Sequence, residues 1–71
     1  MSLNSVNMGK EVIIEKCQFQ GETRRRLQNL GVLPGERVTP IMKNAGNLIV
    51  KVRESRLALN LDVASQIQVI S

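Results

Sequence analysis

The stretch from Gly21 to Glu36, GETRRRLQNLGVLPGE, holds three consecutive arginines, two leucines at helical spacing and two glycines on either side of a Leu-Pro. Thr23, Leu27 and Leu30 stand at i, i+4 and i+7, which is one face of a helix. Glu22 falls in the first turn, where the positive end of the helix dipole favours an acid. Thr23 is the other candidate for the cap, but Arg26 rather than Glu stands three residues on, so there is no capping box. Gly31 follows the last apolar residue, the position of a left-handed C′ residue. Leu33-Pro34-Gly35-Glu36 then fits a type II turn, with proline second and glycine third. Gly31, Pro34 and Gly35 therefore read as a structural turn that joins a helix to a strand. They are too sparse to cradle a phosphate, and no G-x-x-x-x-G-K accompanies them.

The chain on either side of this joint reads as strands. KEVIIEKC (10–17) is rich in β-branched residues and places Val12 and Ile14 on one face, with Ile13 and Glu15 on the other. LNSVNMG (3–9) suits a short helical turn before it, and QFQG (18–21) reads as a loop. After the joint, ERVTPIMK (36–43) is a strand that Pro40 confines to an edge or a bulge. NAGN (44–47) is a hairpin turn, LIVKVR (48–53) an alternating strand, and Glu54-Ser55 a two-residue loop. RLALN (56–60) returns, LDVASQ (61–66) makes one helical turn, and IQVI (67–70) ends the sheet. The expected core is Val12, Ile14, Leu27, Leu30, Val38, Leu48, Val50, Val52, Leu59, Ala64, Ile67 and Val69. Five short strands with one or two short helices predict a mostly β, single domain over residues 1–71, a small SH3-like barrel in which closure removes the edges.

Composition agrees with a small aliphatic core. Of 71 residues, 42% are hydrophobic, with Phe19 as the single aromatic. One cysteine and no histidine leave neither a disulfide nor a metal staple within the chain. The lone Cys17 suits a reducing compartment, and no run approaches the roughly 20 apolar residues of a membrane span. No secretory leader is evident, so the expected location is cytoplasmic.

The same inventory weighs against catalysis. Cys17 and the serines have no histidine to activate them. Glu11 and Glu15, four apart on a strand, are about 13 Å from each other, too far for an acid–base pair. One thiol and scattered carboxylates do not converge on a metal, and no cofactor is expected.

The net charge of +4, from ten Lys and Arg against six Asp and Glu, favours acidic partners in general. With Thr23, Leu27 and Leu30 turned inward, Arg24, Arg25 and Gln28 point outward and Arg26 lies on the flank. Single-stranded nucleic acid wants aromatic platforms that this chain lacks. Groove recognition wants a longer helix. A protein partner therefore suits the arginines better than nucleic acid does, with Arg26 assigned to structure, its stem on the barrel and its head on nearby carbonyls.

RRRLQNLGVLPGERV resembles the R-R-L-x-x-L-G-[IVL]-x-P-G-x-x-V signature of the ferrous iron transport protein A (FeoA) family. NLIVKVRESRLALNLDVASQIQV is similar to that family's closing segment, and Leu3, Val6 and Gly9 match its L-x-x-L-x-x-G opening. Pro40 and the short loop at 17–21 depart from the pattern. The resemblance implies a cytosolic SH3-like barrel that assists a membrane ferrous iron transporter with a GTPase domain, by protein contact rather than by carrying iron. On that footing Arg24 and Arg25 are the expected partner-binding residues. Catalytic, cofactor and metal residues are expected to be none, and self-association is left open. The alternative is a small basic barrel that binds RNA or DNA.

Overall fold

A computed structural model describes residues 1–70. After a 3₁₀ turn over Leu3–Ser5, the β-branched run forms β1 (Val12–Cys17), and the arginine segment forms α1 (Gly21–Asn29). The strands β2 (Arg37–Asn44), β3 (Asn47–Val52) and β4 (Ser55–Asn60) follow as a meander. The chain then makes one helical turn, α2 (Leu61–Ser65), and ends in β5 (Ile67–Ile70). The strand order is β4-β3-β2-β1-β5, antiparallel throughout.

This sheet is open, which corrects the expected closed barrel. β4 and β5 are its two edges and are not hydrogen-bonded to each other. The reason lies at Asn60, whose side-chain carbonyl accepts the Val63 N–H at 2.9 Å and caps α2. The chain thus leaves β4 straight into a helix that spans the gap. Ala64 of α2 and Leu3 of the 3₁₀ turn, both wholly buried, fill the space from that side.

The core takes the inward face of every strand: Val12, Ile14, Val38, Leu48, Val50, Val52, Leu59, Ile67 and Val69, together with Leu27 of α1. Leu3, Val6, Phe19 and Val32 join it. Leu30 does not, being 44% exposed. The helix stops at Asn29, and Leu30 already has φ −90° and ψ 0°. The Val32 N–H donates to the Leu27 carbonyl at 2.8 Å and the Gly31 N–H to that of Gln28 at 3.0 Å, a Schellman closure. That closure places Val32, not Leu30, against the core beside Leu27.

Two turns are informative. Pro40 is buried in β2, an interior strand, and the register shifts between Pro40 and Met42. A bulge rather than an edge therefore accommodates it. The β3–β4 loop is Arg53-Glu54, one residue earlier than expected, because Val52 pairs with Ser55. Arg53 accordingly has φ 57° in the turn instead of lying on the strand.

The β2–β3 loop, Ala45-Gly46, has φ of 52° and 79°, positive at both positions as a type I′ turn requires. Alanine is poorly suited to that region, whereas asparagine tolerates it. Ala45 is exposed and loses no packing if replaced. Ala45→Asn is therefore expected to raise the unfolding free energy by about 0.5–1 kcal/mol. Thermal melts check this, and an unchanged or lower melting temperature would count against the turn assignment.

Candidate functional site

α1 presents its arginines in two directions. Arg24 and Arg25 are exposed on the side away from the core, and neither forms an ion pair among the described residues. Arg26 is exposed as well and makes no hydrogen bond to a carbonyl among the described residues, contrary to the structural role expected for it. It instead lines a groove of about 350 Å³ that runs between α1 and β4. Thr23, Leu27 and Leu30 form the helix wall of this groove, and Leu57 and Ala58 belong to the strand wall. Among the described residues no carboxylate lines it. Leu27 is the one buried residue of α1, so a single side chain anchors the helix over the groove.

The cations that do find partners lie elsewhere. Arg53 Nη2 donates to Glu36 Oε1 at 2.8 Å, and Arg37 stands 3.8 Å from Glu11. The Arg53 hydrogen bond holds the Glu36 carboxyl below its ordinary value, and Glu36 in turn raises the Arg53 guanidinium. This pair ties the β3–β4 loop to the segment after the helix.

Gly31, Pro34 and Gly35 lie in the connection between α1 and β2. Gly31 has φ 101° and Gly35 φ 93°, both left-handed. The Glu36 N–H donates to the Leu33 carbonyl at 3.1 Å, closing the turn. The Gly35 N–H donates to Ile14 O at 2.8 Å, and the Ile14 N–H to Glu36 O at 2.9 Å, so the turn is clasped onto β1.

Cys17 is half-buried at the end of β1. Burial pushes its thiol up, and Arg24 opposes this more weakly. A thiol held above its ordinary value is a poorer nucleophile. Among the described residues no group of three or more His, Cys, Asp or Glu could hold a metal ion. No helix among them is long and apolar enough to cross a membrane.

The groove was not foreseen. Leu59 of RLALN was expected in the core, but nothing local indicated that α1 would lie along β4. Leu30, read as core, was the one available signal: an apolar residue at the end of the helix face that the core does not take up.

A family model described as the FeoA domain matches residues 1–71. No curated protein sequence matches the chain. The zinc complex of Stenotrophomonas maltophilia FeoA, described as a prokaryotic SH3-domain protein and a candidate ferrous iron transport activating factor, superposes with a TM-score of 0.82. It is 28% identical, over 99% of this chain and 89% of that one. FeoA from Chlorobium tepidum gives a TM-score of 0.90 at 21% identity, over 97% of this chain and 68% of that one. The manganese regulator SloR gives 0.80 at 17% identity, over 97% of this chain but 33% of its own length. The open five-stranded sheet is thus an SH3-like fold shared with these proteins.

Proposed function

The chain belongs to the FeoA family, associated with ferrous iron transport, and from that premise we propose that it is a small cytosolic accessory of ferrous iron uptake. It acts by contact with a membrane ferrous iron transporter that bears a GTPase domain, not by catalysis. The observation that carries the reading is the match of the family model to the whole chain. Exposed Arg24 and Arg25, without carboxylate partners among the described residues, support a contact with an acidic surface.

The test is a binding measurement between the purified chain and the transporter's cytosolic domain. Reversing both charges, Arg24→Glu with Arg25→Glu, should change stability by less than about 0.5 kcal/mol, as exposed substitutions do. It should weaken the complex, and the loss should shrink at high salt, where rim charges are screened. Normal binding by the reversed protein would remove the arginines from the interface. Steep salt-dependent binding to generic RNA or DNA, with no complex formed with the transporter domain, would favour the nucleic-acid alternative.

A further inference from the structure

The two edges of the sheet differ. The outer side of β5 is covered by the start of the chain: the Val69 N–H donates to the Met1 carbonyl at 2.7 Å, and Ser2 bridges to Gln68. β4 has no such cover among the described residues. It has no proline, no lysine and no register shift against β3, and Arg56 is its one charged side chain.

Which backbone groups β4 leaves open follows from its hairpin. Val52 and Ser55 flank a two-residue loop and so form a hydrogen-bonded pair. Such pairs alternate along an antiparallel ladder, giving Val50 with Leu57 and Leu48 with Leu59. The Leu61 N–H donates to the Gly46 carbonyl at 3.2 Å, the next step of the same series. The N–H and C=O of Arg56 and Ala58 therefore point away from the sheet. Both residues are exposed.

We propose that this free edge of β4, with the groove beneath α1, is a strand-addition site for an extended partner segment that is apolar at alternate positions and flanked by acidic residues. The ladder of Arg56 and Ala58 supplies main-chain hydrogen bonds. Inward side chains of the added strand, on the face shared by Leu57 and Leu59, enter the groove against Leu30 and Val63. Charge selects the flanks: among the described residues Arg26 and Arg56 are exposed without ion-pair partners, and no carboxylate lines the groove. A second copy of this chain, at net charge +4, would set like charges against one another there. The site goes beyond the arginine contact proposed above and does not depend on the partner being a transporter.

The probe is a set of synthetic peptides about nine residues long, alternating threonine with valine, leucine or phenylalanine and ending in glutamates. They are titrated into the full chain and followed by amide hydrogen exchange. The expected result is binding with new protection at the Arg56 and Ala58 amides. Replacing the glutamates by lysine should abolish it. Ala58→Pro removes an outward donor without touching the β3 ladder, and should weaken binding by about tenfold or more. Leu30→Glu, at an exposed position, should do the same while preserving the fold, so the proposal remains testable if the proline variant unfolds. Absence of binding to every peptide, binding without protection at these two amides, or their protection by dimerisation of the free chain would each overturn it.

Discussion

Leu27→Ala is expected to lower the unfolding free energy by about 2–5 kcal/mol, the range for truncating a buried leucine without full collapse of the site. Leu27 is 5% exposed and is the only buried side chain of α1. Its loss removes the helix's single anchor. At roughly 0.05–0.15 kcal/mol per residue, a chain this short has about 4–11 kcal/mol in all, so the substitution takes a large share of it. A urea titration with unchanged slope and a midpoint shifted strongly downward is the expected record. Leu30→Ala provides the contrast, since a side chain left 44% exposed by the fold should matter far less. If Leu27→Ala melts like the parent, α1 is not held as described.

Gly31→Ala is expected to cost about 2–4 kcal/mol, combining left-handed backbone strain with overpacking. At φ 101° the residue lies well beyond the region that L-amino acids tolerate. An added Cβ would also stand 3.0 Å from Val52 Cγ1 and 3.4 Å from Arg53 Nε. Val52 is wholly buried in β3, so it can give way only against the core. Gly35→Ala separates the two contributions. Its φ of 93° carries the backbone penalty, but a Cβ there meets nothing within 4 Å. It should therefore cost about 1–2 kcal/mol, visibly less than Gly31→Ala in parallel melts. Equal losses would show that Val52 yields and that backbone strain alone sets the cost.

These two sites also show which parts of the molecule can be read along the chain. The joint after α1 depends on residues within a few positions of each other: the helix end, Gly31, and the Pro34-Gly35 turn. Steric rules for φ act at that range, so the left-handed backbone at Gly31 and Gly35 was legible in advance. Strand alternation is equally local, which is why Val12, Ile14, Leu48, Val50 and Val52 were assigned to the core from the sequence. The hairpin at Ala45-Gly46 was readable too, because turn chemistry belongs to its own residues. The β3–β4 loop was misplaced by one residue since no glycine marks it, and pairing of Val52 with Ser55 decided it.

By itself, then, the amino-acid sequence determined the elements, most of their inward faces and the resemblance to its family. Tertiary structure alone decided how the sheet ends. Whether β4 meets β5 depends on how α2 packs across the gap, with Ala64 wholly buried on the side filled by Leu3 of the distant 3₁₀ turn. Whether an edge is covered depends on Met1 reaching Val69. Whether Leu30 is core or groove depends on Val32 taking the place beside Leu27. Each is a contact in which the competing arrangement satisfies the same local preferences, so only the burial and hydrogen bonding of the assembled fold could separate them.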